Sequence, residues 1–396
     1  MKNIQGFKDN IGKVMNANMV SMLAMVILVG MGEKMAERFL PLYILAIGGG
    51  TFAVGFLNAM DNLLSALYSF PGGYIAEKYG YKKSLMIFTI VAMVGYIPVI
   101  LIPSWQVVLI GAVFFIAWTA VSLPAVMNLV NDSIPKDRRT MGVSIHSLVR
   151  RVPMALGPLA GGLIIGIYGR IIGVRIAFGV AFLLGIMALY LQWRFMSDDI
   201  VEKEVEFVSL KNFREYFSPK LINLLASDIL IRFAEQIPYA FVVIWVVENN
   251  NLSELQFGLL TTVEMVTAML VYIPVAYFAD RSHKKPFVLA TFCFFTIFPL
   301  FLLFSHNMFM FLIAFVIRGL KEFGEPTRKA LIMDLARDDA KARTFGTYYL
   351  FRDVIVSIAA LSSAFLWNIS PATNFIVASA FGVLGTVLFA VYGKDE

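Results

Sequence analysis

The segment Gly73-Tyr-Ile-Ala-Glu77-Lys78-Tyr-Gly80-Tyr-Lys82-Lys83 connects two long apolar runs and ends in a cluster of lysines. A related segment, Pro274-Val-Ala-Tyr-Phe-Ala-Asp280-Arg281, matches Pro71-Gly-Gly-Tyr-Ile-Ala-Glu77-Lys78 at a separation of 274 − 71 = 203 residues. This separation is about half of the 396-residue chain. A charged turn that recurs after half a chain length indicates a protein made of two related halves.

The composition of the chain places these halves in a lipid bilayer. Hydrophobic residues make up 59% of the sequence, charged residues make up 15%, and the mean hydropathy is +0.76. Soluble domains contain about 45–50% apolar and about 25% charged residues, so an ordinary soluble domain is excluded. Cys293 has no cysteine partner for a disulfide, and the scattered residues His146, His283 and His306 offer no metal-ligand spacing. We therefore expect neither a metal nor another cofactor.

Twelve apolar runs are long enough to be membrane spans, since a bilayer core about 30 Å thick requires about 20 apolar residues in a helix. They lie approximately at residues 17–46, 52–76, 84–102, 105–130, 141–168, 173–195, 221–247, 254–279, 286–304, 308–333, 344–367 and 371–392. The runs predict an all-α integral membrane protein with twelve transmembrane helices. A long acidic connection divides them into a six-helix half at 1–196, a cytoplasmic linker at 197–220 and a second six-helix half at 221–396.

The positions of Lys and Arg predict the orientation of the chain, because short loops rich in these residues stay in the cytoplasm. Positive charges precede the first run and follow the second, fourth, eighth and tenth runs. The connections after the first, third, seventh, ninth and eleventh runs contain neither Lys nor Arg. We therefore expect a multi-pass protein of the plasma or inner cell membrane with both termini in the cytoplasm. The net charge of +6 reflects these loops rather than a nucleic-acid partner.

The repeat extends to charged residues inside the runs. Asp61 and Glu264 are separated by 264 − 61 = 203 residues, and Arg150 and Arg352 by 352 − 150 = 202 residues. Hydrophobicity alone does not produce matches at intramembrane charges. We therefore expect the halves to be parallel repeats related by a pseudo-twofold axis along the membrane normal.

The segment at residues 73–83 fits the signature G-x-x-x-D-[RK]-x-G-x-[RK]-[RK] of the major facilitator superfamily of secondary transporters, with Glu77 in place of Asp. The sequence resembles that family over essentially its whole length. Gly157-Pro158-Leu-Ala-Gly161-Gly162 resembles the family motif G-P-x-x-G-G, which is associated with proton-coupled antiporters. The resemblance implies two six-helix halves around a central cavity and transport by alternating access.

The resemblance also implies that the loop acids make contacts between the halves and lock one access state. The alternative for these acids is a solvated charge at the membrane surface. The glycines allow close helix packing, with or without a role in gating. The residues assigned to gating are Gly73, Glu77, Lys78, Gly80, Lys82, Asp280, Arg281, Gly157, Pro158, Gly161 and Gly162.

Charged residues inside the predicted spans are the candidates for function, because each costs several kcal/mol unless it faces a bundle interior or an aqueous cavity. We assign proton coupling to Asp61, Glu264, Glu37 and Glu235. Asp61 and Glu264 have no Lys or Arg within a turn of their own helices, so desolvation favours their protonated forms and makes them the preferred proton carriers. Glu37 and Glu235 each have a basic residue three positions away and are expected to meet a cationic substrate group or to exchange partners during the transport cycle. The alternative for all four acids is a structural role.

Two predicted helices carry charged stripes. Asp228, Arg232 and Glu235 are spaced i, i+4 and i+7 and therefore share one helix face. The run at 308–333 contains i, i+4 pairs of opposite charge, so we expect this helix to neutralise itself and to face water. These pairs are Arg318 with Glu322, Lys321 with Glu325, and Glu325 with Lys329.

Arg150 and Arg352 lie about nine residues inside their predicted helices, or about 13 Å at 1.5 Å per residue. Each either contacts an anionic substrate group or pairs with an acid such as Asp353 or Glu77. On the first run, Lys34 is expected to pair with Glu37. The residues assigned to substrate binding are Glu33, Arg38, Arg150, Asp228, Arg232, Arg318, Glu322 and Arg352.

The sequence contains no G-x-x-x-x-G-K-[ST] phosphate loop and no nucleophile or metal cluster, which disfavours an ATP-driven pump and a membrane enzyme. We expect a proton-coupled secondary transporter that exports a small organic molecule or drug. One alternative is a proton-coupled symporter that takes up a peptide, an organic anion or another metabolite, and a second is a channel or non-transporting receptor on the same fold. The expected partners are a small-molecule substrate, protons and the lipid bilayer, and the chain is expected to act as a monomer.

Overall fold

The computed structural model describes residues 17–116, 118–133, 139–197, 217–279, 283–336 and 341–394. Every regular element in these residues is a helix. A π-helix, Trp245–Asn249, follows α10. In chain order the α-helices are α1 (Ala17–Glu37), α2 (Leu40–Ala46), α3 (Gly50–Tyr79), α4 (Tyr81–Leu101), α5 (Trp105–Phe115), α6 (Trp118–Ser133), α7 (Arg139–Tyr168), α8 (Arg170–Phe195), α9 (Pro219–Tyr239), α10 (Val242–Ile244), α11 (Glu254–Ala279), α12 (Lys285–Leu303), α13 (Met308–Leu320), α14 (Glu325–Asp334), α15 (Lys341–Ile369) and α16 (Pro371–Tyr392).

Helices occupy all twelve predicted apolar runs within the described residues. Nine helical segments there are long and apolar enough to cross a membrane. A tenth span results when α9 and the segment Val242–Asn249, which are bent by 41° relative to each other, are counted together. The prediction of an all-α integral membrane protein is therefore confirmed, whereas the number of twelve crossings stays a prediction.

Three of the predicted runs are interrupted beside a residue that disturbs helical hydrogen bonding. α1 ends at Glu37, four residues before Pro41, which lacks the N–H that would bond to the Glu37 carbonyl. α9 ends one residue after Pro238. The turn between α13 and α14 ends at Gly324, whose backbone N–H donates a 2.5 Å hydrogen bond to Thr291 Oγ1. These interruptions leave charged side chains beside helix ends.

The first of two compact units comprises Met1–Glu37 and Leu67–Glu206. Within it α1 packs against α7 and α8, and α4 packs against α5, α6 and α8. The rings of Tyr96, Phe115 and Phe178 pack together in its core, with centroids 5.2–5.5 Å apart. In the same unit α1, α6 and α7 contact one another, which brings their polar residues together.

The second unit comprises Arg38–Ala66 and Phe207–Glu396. Within it α9 packs against α15 and α16, and α12 packs against α13 and α16. Segment Arg38–Ala66 belongs here because Asn58 Nδ2 donates a 2.9 Å hydrogen bond to the Gln236 carbonyl and Phe52 contacts Phe365. The division at 1–196, 197–220 and 221–396 stays a prediction.

Candidate functional site

Helix α9 carries the charged stripe that its sequence spacing predicts. Arg232 Nε lies 3.9 Å from Asp228 Oδ1, and the other end of the guanidinium forms an ion pair with Glu235. Asp228 is 1% exposed, whereas Arg232 and Glu235 are half-buried. The i, i+4, i+7 spacing therefore aligns three charges on one face inside the second unit.

Asp228 is the centre of a cluster of hydrogen-bond donors from α14 and α15. Arg328 Nη1 donates to Asp228 Oδ2, the Tyr348 hydroxyl donates to the same oxygen at 3.0 Å, and Arg352 Nη1 lies 3.4 Å away. All four side chains are buried. Because burying a carboxyl group without hydrogen-bond donors would be very costly, these donors offset the cost of burying Asp228.

Glu264 of α11 is also paired, although its own helix offers no nearby cation. Arg318 Nε lies 3.3 Å and Lys321 Nζ 3.8 Å from Glu264 Oε1. Lys321 Nζ also donates a 2.6 Å hydrogen bond to Glu235 Oε1. Glu264 Oε2 is buried and has no hydrogen-bond partner among the described residues. The two acids thus share one ammonium group, and Glu264 is held more loosely than Glu235.

Glu325 connects the remaining cations. It accepts hydrogen bonds from Arg328 at 2.7 Å and from Arg232 at 3.4 Å, and it lies 3.6 Å from Lys329. The predicted i, i+4 pair between Glu325 and Lys329 is therefore confirmed. The turn at 321–324 separates α13 from α14. The continuous helix required for the predicted pairs Arg318 with Glu322 and Lys321 with Glu325 is therefore absent. Lys321 forms an ion pair with Glu235 of α9 instead.

Arg352 of α15 makes the neighbouring contact that its sequence position predicts. Its Nε donates a 2.7 Å hydrogen bond to Asp353 Oδ1, and its guanidinium carbon lies 4.1 Å from the ring centroid of Tyr349. Arg352 is 7% exposed and also contacts Asp228, so it is fixed from three sides. Of the two predicted roles, pairing with an acid is present, and contact with a substrate anion stays a prediction.

The ion pairs of the second unit form one connected network among the described residues. Five acids and five buried or half-buried bases are connected through the contacts above, and the exposed Lys329 adds a sixth base, 3.6 Å from Glu325. The connected side chains are Asp228, Glu235, Glu264, Glu325, Asp353, Arg232, Arg318, Lys321, Arg328 and Arg352. Removing one member of a buried pair in this network leaves its partner with an uncompensated charge.

Aromatic rings cover the cations of this network. The Arg318 guanidinium carbon lies 5.7 Å from the Tyr239 ring centroid, 5.3 Å from that of Phe298 and 5.6 Å from that of Phe315. Tyr239 also contacts Arg38 at 5.0 Å. A cavity of about 10 Å³, the size of one water molecule, is lined by Glu235, Arg318, Tyr239 and Phe298, among others.

The first unit contains a smaller charged group on α1. Lys34 Nζ lies 3.1 Å from Glu33 and forms the predicted ion pair with Glu37. Glu33 is 5% exposed and also accepts a 3.4 Å hydrogen bond from Thr119 Oγ1. A cavity of about 30 Å³ lies beside it and is lined by Lys34 and Arg150, among others. The structure thus brings Glu33 and Arg150 to one cavity.

Two other predicted intramembrane residues are half-buried. Asp61 is half-buried on α3, and Ser65 Oγ lies 3.5 Å from its Oδ1. Glu322 is half-buried in the turn before α14. Among the described residues, no group of three or more His, Cys, Asp or Glu side chains is arranged to hold a metal ion.

The glycines of α7 lie against α1. A Cβ at Gly157 would lie 2.7 Å from Lys34 Cβ, and a Cβ at Gly161 would overlap the Met35 carbonyl. Pro158 and Gly162 are buried on the same helix. The predicted close packing is therefore present, and it fixes the position of the lysine that holds both Glu33 and Glu37.

The loop signature is described only in part. Gly80 has a φ of 78° and precedes α4, so glycine suits this left-handed position. Lys78 is exposed beside the rings of Tyr74 and Tyr79, Lys82 is half-buried, and a Cβ at Gly73 would meet nothing within 4 Å. The side chain of Glu77 and the residues Asp280 and Arg281 lie outside the described residues.

Sequence reasoning did not select several residues that complete these clusters. Tyr348 and Thr119 are hydrogen-bond partners of buried acids. The sequence predicts Lys321 and Glu325 only as a pair within one helix, and it assigns no role to Arg328. The density of charge on the run at 308–333 was the available signal for the last three. Tyr348 gave no signal, because a tyrosine in an apolar helix is usual.

Long apolar helices with buried ionisable residues between them are typical of helical membrane proteins that move polar or charged solutes. The chain belongs to the major facilitator superfamily, because the model described as "Major Facilitator Superfamily" matches residues 22–234 and 224–396. It is therefore a membrane transporter and not an enzyme.

Two relatives carry names of the same kind. The uncharacterized MFS-type transporter MJ1317 of Methanocaldococcus jannaschii is 20% identical over 381 residues, which cover 90% of each chain. The uncharacterized MFS-type transporter YfkF of Bacillus subtilis is 27% identical over 135 residues, which cover 34% of each chain. The chain thus matches about a third of the length of YfkF and nine tenths of MJ1317.

Solved transporters share the fold. A mutant of the nucleoside transporter NupG superimposes with a TM-score of 0.79 at 10% identity, covering 96% of this chain and 100% of that one. The peptide transporter POT in complex with sulfate gives 0.77 at 13% identity, covering 95% and 93%. A bacterial homologue of the human lysosomal transporter Spinster gives 0.75 at 13% identity, covering 96% of each chain. At these identities the likeness concerns the fold alone.

Proposed function

We propose that this transporter couples proton movement to the export of a small organic molecule by alternating access. The proposal extends the established class of the chain, a secondary transporter, to a coupling ion, a direction and a substrate class. It is supported by the buried acids of both units and by the G-P-x-x-G-G motif on α7. Both units therefore contain ionisable side chains inside predicted membrane spans, where such residues mark substrate and proton pathways.

The observation that carries the proposal is the loose binding of Glu264. Its two cation contacts, at 3.3 and 3.8 Å, are longer than those of Glu235, which binds Lys321 at 2.6 Å. Its second oxygen has no hydrogen-bond donor among the described residues. Protonation of Glu264 therefore disrupts weaker ion-pair contacts than protonation of Glu235 would.

Protonation of Glu264 changes the interactions between helices. Lys321 then remains with Glu235 alone, and one positive charge in the network loses its partner. A protein that can exchange between two conformations shifts towards the one in which this charge is hydrated or paired. Proton binding at Glu264 thus biases one access state, which is the requirement for coupling.

The remaining predicted residues receive roles within the same proposal. Asp61 is the matching proton carrier of the other repeat, and Glu37 and Glu235 meet a cationic substrate group or exchange partners during the cycle. The other charged residues inside the predicted spans are proposed to contact the substrate directly or to hold in place the residues that contact it. The loop acids Glu77 and Asp280 are proposed to stabilise one access state.

Transport by purified protein in proteoliposomes tests the coupling. A thermal-shift screen of metabolites and drugs first supplies a substrate. We expect Glu264→Gln and Asp61→Asn to abolish accumulation driven by a pH gradient, because neither variant can carry the proton. Both variants should retain substrate counterflow, because exchange requires no net movement of protons.

Glu248→Gln is the matched control, since Glu248 is an exposed acid at the end of the π-helix. It should transport like the wild type. If Glu264→Gln and Asp61→Asn both retain full gradient-driven accumulation with unchanged proton flux, the assignment of the proton carriers is wrong. If accumulation in the wild type follows no proton gradient, proton coupling itself is wrong.

A further inference from the structure

Helix α12 carries a single charged residue, at its first position, yet one of its faces contacts the bases of the charged network. Thr291, Phe295 and Phe298 are spaced i, i+4 and i+7 on this helix, so they share one face. All three are buried, with exposed fractions of 0%, 5% and 7%. Lys321 Nζ lies 5.5 Å from the Phe295 ring centroid, and the Arg318 guanidinium carbon lies 5.3 Å from that of Phe298. An uncharged face of α12 therefore lies against two cations of the network.

Thr291, the first residue of this face, contacts the backbone of the turn at 321–324, which follows α13. Its Oγ1 accepts a 2.5 Å hydrogen bond from the Gly324 N–H, and this hydrogen bond is buried. The turn lies so close to α12 that a Cβ at Gly324 would overlap the Phe287 carbonyl oxygen. The rings of Phe287 and Phe323 are stacked, with centroids 5.9 Å apart. The turn is therefore attached to α12 by a backbone hydrogen bond and by an aromatic contact.

The position of this turn determines which acids Lys321 can reach. Lys321 is the first residue of the turn, and its Nζ lies 2.6 Å from Glu235 Oε1 and 3.8 Å from Glu264 Oε1. These two acids belong to different helices, α9 and α11. The longer contact is close to the distance of about 4 Å at which an ion pair ends. A displacement of the turn therefore breaks the contact with Glu264 before the contact with Glu235.

We propose that Thr291 is a positioning residue for proton coupling, because its hydroxyl holds the turn after α13 and thereby keeps the Lys321 ammonium within reach of both Glu235 and Glu264. The inference rests on the proposed function and adds to it a residue that acts only through others. A buried donor without an acceptor is costly, so the Gly324 N–H requires a partner. Without the Thr291 hydroxyl this N–H has to find another acceptor, and the turn changes position with it.

Substitutions at two threonines of α12 test the role of the hydroxyl. Thr291→Val keeps the shape of the side chain and removes the acceptor, whereas Thr291→Ser keeps the hydroxyl. Thr296→Val is the matched control, because the Thr296 hydroxyl donates to the Phe292 carbonyl at 2.8 Å and lies 2.9 Å from Thr386 Oγ1, so it contacts α16 rather than the turn. Each full-length variant is reconstituted in proteoliposomes, and accumulation driven by a pH gradient and counterflow are measured over a range of pH.

Thr291→Val should shift the pH profile of gradient-driven accumulation towards higher pH by about half a unit, because removal of a cation contact from an acid favours its protonated form. Counterflow should be retained, since exchange requires no net movement of protons. Thr291→Ser and Thr296→Val should keep the wild-type profile. The inference is overturned if the profile of Thr291→Val is unchanged, or if Thr291→Ser or Thr296→Val shifts it equally.

A double-mutant cycle tests the connection between Thr291 and Lys321 without reference to transport. Thr291→Val, Lys321→Gln and the double variant are unfolded chemically in detergent. If Thr291 acts by positioning Lys321, Thr291→Val should lower the unfolding midpoint less in the Lys321→Gln background than in the wild type. Equal decreases in the two backgrounds overturn the inference. Should Thr291→Val fail to fold, Thr291→Ala replaces it in both measurements, since it also removes the acceptor.

The two measurements separate this inference from the proposed function. A wild type whose accumulation follows no proton gradient overturns proton coupling, and the cycle then still decides whether Thr291 positions Lys321. A coupled wild type with an additive cycle leaves proton coupling in place and overturns the role of Thr291.

Discussion

The Lys321 ammonium lies 2.6 Å from the Glu235 carboxylate, between the end of α13 and the last turn of α9. Lys321 begins the turn that separates α13 from α14, and this turn brings its side chain to α9. An uninterrupted helix would have paired Lys321 with Glu325 four residues later. The interruption of one helix thus converts an expected pair within that helix into a bond between two helices.

This bond predicts a large effect on stability. Lys321→Gln leaves Glu235 with Arg232 and leaves Glu264 with Arg318, and removal of one partner from a buried ion pair costs about 3 kcal/mol or more. We expect a clear decrease in the unfolding midpoint of the detergent-solubilised protein. Lys329→Gln is the control, because Lys329 is an exposed lysine that also contacts an acid, Glu325, and its loss should change stability by less than about 1 kcal/mol. Equal midpoints for the two variants would contradict the role given to Lys321.

Tyr348 and Tyr349 give a second matched pair. The Tyr348 hydroxyl donates to Asp228 at 3.0 Å in a buried site, whereas the Tyr349 hydroxyl is 3.5 Å from Arg328 and its ring, which phenylalanine retains, lies against Arg352. We expect Tyr348→Phe to destabilise the protein by about 2 kcal/mol, the value of a hydrogen bond to a charged group. Tyr349→Phe should cost less than about 0.5 kcal/mol. Chemical unfolding of both variants measures the difference in their free energies of unfolding. A larger loss for Tyr349→Phe than for Tyr348→Phe would show that Asp228 does not depend on the Tyr348 hydroxyl.

The positions of the helices could be predicted from the sequence because apolar length and loop charge depend on local composition. Helices occupy all twelve runs, and Pro41 and Pro238 indicate where two of the interruptions fall. The interruption at 321–324 was less evident, since Gly324 and Pro326 stand in a run that is otherwise rich in helix formers. The Gly324 N–H there donates to Thr291, which belongs to a different helix, so part of what stabilises this turn is not visible in the local sequence.

The candidate site could be predicted only where partners are close in sequence. Lys34 with Glu37 and Arg232 with Glu235 are i, i+3 pairs and follow from helical spacing. Glu264 lies 54 residues from Arg318 (318 − 264), so no helical spacing connects them. Its own helix contains no nearby cation, and the ion pair with Arg318 could therefore not be predicted from the sequence. Partners that depend on how helices pack against one another require the structure.

Close packing of α7 against α1 predicts that glycine is required at one position and dispensable at another. Gly157→Ala would place a Cβ 2.7 Å from Lys34 Cβ, so we expect a loss of about 1–3 kcal/mol and displacement of Lys34 from Glu33 and Glu37. Gly166, on the same helix, has nothing within 4 Å of the added Cβ. Gly166→Ala should therefore be neutral or slightly stabilising, since alanine is the better helix former. Thermal unfolding of both variants tests this, and equal losses would mean that the glycines serve another purpose.

The orientation of the chain gives the last prediction. The connection after the seventh run contains neither Lys nor Arg, and the exposed Asn249 at its start is accessible to a labelling reagent. Lys203 lies in the predicted cytoplasmic linker. In a Cys293→Ser background, a membrane-impermeant maleimide added to intact cells should label Asn249→Cys, and it should label Lys203→Cys only after the cells are opened, because loops rich in Lys and Arg are retained in the cytoplasm. If both positions are labelled from the same side, the chain crosses the membrane an even number of times, or not at all, between them. The predicted arrangement of twelve spans would then have to be abandoned.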